Sequence, residues 1–132
     1  METVALYART STELQNTDNQ LIVLKKFAES KGWNYDIYEE KESTRKTRPV
    51  KAALLSKLRA KEYKTCIIVS LSRWARSSIE LLTELTELTG KGINFISIND
   101  NLDFNSPTGR FQVAVLSAVA TLERDYIRER TL

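Results

Sequence analysis

The stretch VALYARTSTE, residues 4–13, decides the architecture. Val4 through Ala8 form a continuous apolar run, as a parallel strand covered on both faces requires. The run gives way to polar residues, with Arg9 and Ser11 where the strand ends. A serine at the mouth of a strand can be a nucleophile, or it can cap the next helix. The nucleophilic alternative meets a difficulty, because the chain contains no histidine to activate it.

Outward from this strand, the pattern alternates strands with helices. Asn16, Thr17 and Asp18 offer capping residues before a helical pattern carrying Leu21, Leu24, Phe27 and Ala28, which Gly32 ends. NYDIYEE (34–40) alternates as a strand, and KESTRKTR (41–48) reads as a polar loop. Pro49 suits the first turn of a second helix bearing Leu54, Leu55 and Leu58. Thr65–Val69 is again apolar and β-branched. A third helix begins near Ser77 or Ser78, carries Ile79, Leu82, Leu85 and Leu88, and is stopped by Gly90 and Gly92. Ile93–Ile98 is the fourth strand. This order predicts βαβ units with right-handed crossovers, an α/β fold with a mostly parallel four- to five-stranded sheet flanked by helices. Chemistry in such sheets gathers at the carboxyl ends of the strands, where both Ser11 and SRWAR (72–76) fall.

The segment from about Pro107 to Leu132 differs in character. FQVAVLSAVATL (111–122) is apolar nearly all round, and ERDYIRERTL (123–132) is charged. As a helix, about 25 residues reach roughly 38 Å, far beyond a domain radius of gyration of about 13 Å. Such a helix is expected to pack on its own sheet and on a partner subunit, then protrude; the alternative is a helix lying wholly across its own domain.

At 132 residues the chain fits one domain with a single core. Its 42% apolar and 28% charged residues are those of an ordinary globular protein. The single cysteine, Cys66, rules out an intramolecular disulfide framework, fits a reducing compartment and is expected to be a buried strand residue. There is no transmembrane run and no signal-peptide pattern, so the expected location is cytoplasmic. The net charge of +3 says little, but the arginines cluster, in RKTR (45–48), SRWAR and ERDYIRER (123–130). Their planar forks suit bidentate contact with phosphate.

Absent histidine removes Ser-His-acid and Cys-His mechanisms and most zinc sites. There is no P-loop, no GxGxxG after the first strand, and no pair of aspartates there to suggest a receiver domain or metal-dependent phosphatase. A serine with several arginines remains. That combination suits attack on a phosphodiester, where arginines neutralise the charge of the transition state.

These residues resemble the catalytic domain of the serine recombinases, the resolvase/invertase family, over nearly the whole chain. YARTST (7–12) resembles the family opening Y-x-R-V-S-T, with Thr10 in place of valine. Gln20 matches a glutamine on the first helix, and Arg48-Pro49 the arginine that begins the second. LSRWAR (71–76) resembles L-D-R-L-(G/A)-R, with Ser72 in place of aspartate. LSAVATLER (116–124) and RERT (128–131) resemble the long dimerisation helix.

The resemblance implies a resolvase-like three-layer α/β/α domain over residues 1–132, a long helix over about 107–132, and a separate DNA-binding domain absent from this chain. It implies that Ser11 attacks a DNA phosphodiester to leave a 5′-phosphoserine linkage. Arg9, Arg48, Arg73 and Arg76 would hold the scissile phosphate, with Gln20 and the Ser72 position in support. Arg124, Arg128 and Arg130 on the last helix would contact DNA. Dimers would pair into a synaptic homotetramer, and no metal, ATP, small-molecule cofactor or membrane would be needed. Serine at position 72 cannot supply the aspartate's charge; it supports the alternative of a catalytically weakened or silent dimerisation or regulatory module. A flavodoxin-like small-molecule or phosphate-binding domain is a third reading, which leaves the protruding helix unexplained. Trp74 can cover the site or pack on the next helix, and Trp33 and Tyr35 read as core or edge aromatics.

Overall fold

The computed structural model describes residues 2–10, 18–41, 48–75, 77–104, 106–109, 111–112 and 115. Among the described residues up to Phe104, five strands and three α-helices follow one another as β1 (Thr3–Thr10), α1 (Asp18–Ser30), β2 (Asn34–Lys41), α2 (Pro49–Arg59), β3 (Thr65–Ile68), α3 (Ser78–Gly90), β4 (Asn94–Ser97) and β5 (Leu102–Asp103). The sheet order is β2-β1-β3-β4-β5, parallel except for β5, which runs antiparallel to β4. The mostly parallel sheet flanked by helices is the expected architecture. Its fifth strand has only two residues, too short for any periodicity to announce it.

The apolar run of β1 is buried on both faces, and its alternate residues serve different cores. Val4, Leu6 and Ala8 pack with Leu21, Leu24 and Ala28 of α1. Ala5 and Tyr7 face the other way, against Leu54, Leu55 and Leu58 of α2 and Leu85 and Leu88 of α3. The result is three layers, with α1 on one face of the sheet and α2 and α3 on the other. Cys66 lies fully buried in β3, and burial pushes its thiol well above the ordinary range. Its reaction with a thiol reagent at pH 8 should therefore be slow in the folded chain and fast after denaturation. Equal rates would contradict that burial.

Gly32 and Gly92 close α1 and α3 in the same way. Each has positive φ, +74° and +83°, where a side chain is strained. Each is followed by a residue whose N–H reaches back into the helix, Trp33 to Ala28 O and Ile93 to Leu88 O. Gly90, by contrast, is the last helical residue of α3.

Pro107 opens a further helix, as the sequence predicts, and Ser106 Oγ caps it by accepting from Gly109 N at 2.9 Å. A Cβ on Gly109 would overlap the carbonyl oxygen of Asp103 and come within 2.9 Å of Phe104 Cα. Gly109→Ala should therefore destabilise the domain by about 1–3 kcal/mol, read as a lower urea midpoint. An unchanged midpoint would mean that the helix start is not seated on β5. The greater part of the expected helix over 107–132 lies outside the described residues. No helix among the described residues is long and apolar enough to cross a membrane.

Candidate active site

The topology fixes where a site can form. The chain leaves β1 through α1 on one face towards β2, and leaves β3 through α3 on the opposite face towards β4. These two connections diverge, and so open a crevice at the carboxyl ends of the adjacent strands β1 and β3. Arg9 closes β1 there, and the chain emerging from β3 makes a single 3₁₀ turn, Leu71–Arg73.

Strand parity puts Ala5, Tyr7 and Arg9 in one file on the α2/α3 face. Arg9 is only 7% exposed, and its Nε–H donates to Arg73 O at 3.2 Å. Gln20, on α1, grips the backbone of Arg9 from both sides. Its Oε1 accepts from Arg9 N at 3.2 Å, and its Nε2 donates to Arg9 O at 2.8 Å. A glutamine is suited to this reciprocal pairing because one amide supplies both a donor and an acceptor. Arg48, the residue that caps α2, donates from Nη1 to Trp74 O at 2.8 Å. Consecutive carbonyls of one turn thus receive arginines from two separate elements.

The start of α2 is itself held by Glu40, near the end of β2. This carboxylate is 1% exposed and accepts from Val50 N at 3.0 Å, Lys51 N at 2.8 Å and the Tyr7 hydroxyl at 3.1 Å. Pro49 has no N–H to satisfy, so Glu40 takes the next two backbone donors of the helix, where its charge also opposes the positive end of the dipole. Burial first, and the Glu40 charge second, push the Tyr7 phenol far above its usual range, while Arg48 and Arg9 pull in the other direction. The Glu40 carboxylate therefore joins β1, β2 and the helix that begins beside Arg48.

The sequence profile of the family "Resolvase, N terminal domain" matches residues 4–132. The chain belongs to the resolvase family. The serine recombinase gin of Escherichia phage Mu is 39% identical over 127 residues, which cover 96% of this chain and 62% of that protein. The Tn917 resolvase of Enterococcus faecalis is 39% identical over 127 residues, covering 95% of this chain and 65% of the relative. Among solved structures, the N-terminal catalytic domain of TP901-1 integrase superimposes with a TM-score of 0.83 at 31% identity, covering 95% of this chain and 98% of that one. The chain spans less than two thirds of the length of these curated relatives.

Of the residues that the resolvase resemblance singles out, the Arg9 and Arg48 side chains meet at the turn after β3 to which Arg73 belongs and contributes its carbonyl, with Gln20 behind Arg9. Ser11 and Arg76 lie outside the described residues, as do Arg124, Arg128 and Arg130. Ser72 belongs to the turn, but its side chain is not among those described. Trp74, where the family motif has leucine, packs rather than covers. It is fully buried, edge-on between Tyr7 and Phe95 at centroid distances of 5.2 and 5.0 Å. Glu40 went unnoticed in the sequence. Its only signal is parity, since two residues after Tyr38 it falls on the covered face, where a carboxylate needs donors.

Proposed function

We propose that the chain is the catalytic domain of a site-specific DNA recombinase. The observation that carries this reading is the convergence of the Arg9 and Arg48 guanidiniums on the turn after β3 that contains Arg73, with Arg9 two residues short of Ser11. Relatives named serine recombinase and resolvase support it.

In this reading the Ser11 oxygen attacks a phosphorus of the DNA backbone. The new Ser11 Oγ–P bond replaces the P–O3′ bond, and the proton lost by the serine is matched by one gained on the departing 3′-hydroxyl. Arg9, Arg48, Arg73 and Arg76 hold the non-bridging oxygens and balance the charge of the transition state. Gln20 keeps the Arg9 backbone in register, and Ser72 stands beside Arg73. The phosphoserine ester retains the energy of the broken linkage, so the reverse attack by a new 3′-hydroxyl reseals the strand without ATP. The protein works in the cytoplasm as a homodimer, and two dimers form a tetramer when two DNA sites are paired. A DNA-binding domain outside residues 1–132 supplies site choice.

The test joins the chain to a DNA-binding domain of known sequence and offers a nicked site on which religation is impossible. A protein–DNA adduct that survives denaturing electrophoresis supports the reading. No adduct, under conditions that bring two sites together, supports the silent module instead.

Arg124, Arg128 and Arg130 provide a separate check. Their replacement by alanine should flatten the dependence of log affinity on log salt by about one unit of slope for each phosphate no longer neutralised. An unaltered slope would remove these three residues from the DNA interface.

A further inference from the structure

Lys51 lies one helical turn after Arg48 on α2 and is 3% exposed. Its ammonium is 2.8 Å from Glu80 Oε1 and 2.9 Å from Glu84 Oε1, both on α3. The same ammonium lies 4.8 Å from the ring centroid of Trp74. Glu84 Oε1 accepts from the Trp74 indole N–H at 3.1 Å. Lysine, glutamate and indole therefore form a closed triangle beneath the turn that carries the two carbonyl acceptors.

Stability does not account for this arrangement. A buried ion pair seldom outperforms apolar residues of the same volume, and the surrounding core is otherwise hydrophobic. The triangle does restrict geometry. The Trp74 indole is held by Lys51 on its face and by Glu84 at its N–H, so its peptide has little freedom to rotate. That peptide presents Trp74 O to Arg48 and follows Arg73 O, which receives Arg9. Lys51 also sits on the helix that Arg48 caps, and its own N–H is fixed by Glu40. The path from Arg48 through Trp74 to Lys51 and back along α2 is a closed ring.

We propose that Lys51, paired with Glu84, is a positioning residue that locks Trp74 and thereby sets Arg9 and Arg48 in one arrangement. Its functional half rests on the recombinase reading, because the target of the aligned guanidiniums is then a DNA phosphate. A displacement on the order of 1 Å at such a site costs about a hundredfold in rate.

The experiment compares Lys51→Met, Lys51→Arg and a Glu80→Gln and Glu84→Gln double variant with the parent chain. The first readout needs no DNA. The Nε–Hε signal of Arg9 and the Nη–Hη signals of Arg48 report whether the guanidiniums keep their carbonyl partners. Lys51→Met should shift both signals and speed their exchange with water, with backbone amide signals of the second half of α1, residues 24–30, unmoved. Lys51→Arg, which keeps the charge over the indole, should restore them. In the DNA-joined protein the rate of adduct formation should fall about a hundredfold in Lys51→Met and largely recover in Lys51→Arg. If Lys51→Met does not fold, Glu84→Gln combined with Glu80→Gln decides, since the pair keeps an acceptor for the indole while removing both charges that hold Lys51. A folded Lys51→Met, or a folded Glu80→Gln and Glu84→Gln double variant, with unmoved Arg9 and Arg48 signals overturns the proposal, as does an unchanged adduct rate in that variant. A parent protein that forms no adduct sinks the recombinase reading alone, and the arginine signals still judge Lys51.

Discussion

Ser11→Ala is expected to abolish covalent capture of DNA while leaving the fold and its urea midpoint unchanged. The expectation follows from the chemistry available. The chain has no histidine, and its single cysteine is buried in β3 with its thiol pushed up by burial, so neither an imidazole nor a thiol can replace Ser11 as the nucleophile. Alanine removes only the oxygen, so DNA binding through the arginines should persist with the same salt dependence. Loss of binding together with loss of the adduct would point to a structural role for Ser11. An adduct that persists in the variant would assign the attack to a different residue.

The largest expected effect on stability is that of Glu40→Ala. Three donors converge on this buried carboxylate: the Tyr7 hydroxyl and the backbone N–H groups of Val50 and Lys51. Removing it leaves all three without their acceptor at the junction of β1, β2 and α2, where each stranded donor costs about 1–3 kcal/mol. Some water will enter the space vacated, so the sum should fall below the maximum, at about 3–5 kcal/mol. Glu40→Gln keeps one acceptor oxygen and should cost markedly less. Both are read from urea unfolding, with an unchanged slope showing that the midpoint alone has moved. An effect of Glu40→Ala no larger than that of an exposed substitution would mean that the N-terminus of α2 is satisfied in some other way.

Burial of the Tyr7 phenol, with the Glu40 charge beside it, predicts an alkaline limit. The Tyr7 phenol ionises at higher pH in the folded state than its ordinary value of 10.0. The unfolded chain therefore loses this proton first. The corresponding stability is fully present below pH 10 and declines as pH rises towards the folded value. Tyr7→Phe should remove that part of the decline.

Much of this architecture was legible because it depends on residue type at short range. The run Val4–Ala8 required a strand covered on both faces, and its alternate side chains do serve two separate cores. Leu21, Leu24 and Ala28, and Leu54 and Leu58, marked the faces of α1 and α2 that are buried. Arg9, Arg48 and Arg73 stood out by kind and by their places near element ends.

What stayed hidden depends on pairing across the fold. The acceptors for Arg9 and Arg48 are main-chain carbonyls of Arg73 and Trp74, and a carbonyl leaves no mark in a sequence. Glu40 looked like one more charge in an edge strand, because the donors it serves lie ten and eleven residues away on α2 and across the sheet on Tyr7. Nothing in the sequence around Lys51 announces that α3 brings Glu80 and Glu84 to it. Strand β5, with two residues, is defined only by its ladder to Ile96 and Ser97.

The central claim is that residue 11 becomes bonded to the 5′ phosphate of a cleaved DNA strand. The most direct test traps that adduct on a nicked site, digests it with trypsin and nuclease, and sequences the modified peptide by mass spectrometry. Cleavage after Arg9 and Lys25 isolates a peptide running from Thr10 to Lys25. The account predicts that this peptide carries a nucleotide joined through its 5′ phosphate to Ser11, with a free hydroxyl on the opposing 3′ end. A linkage on any other residue, or through a 3′ phosphate, would contradict it.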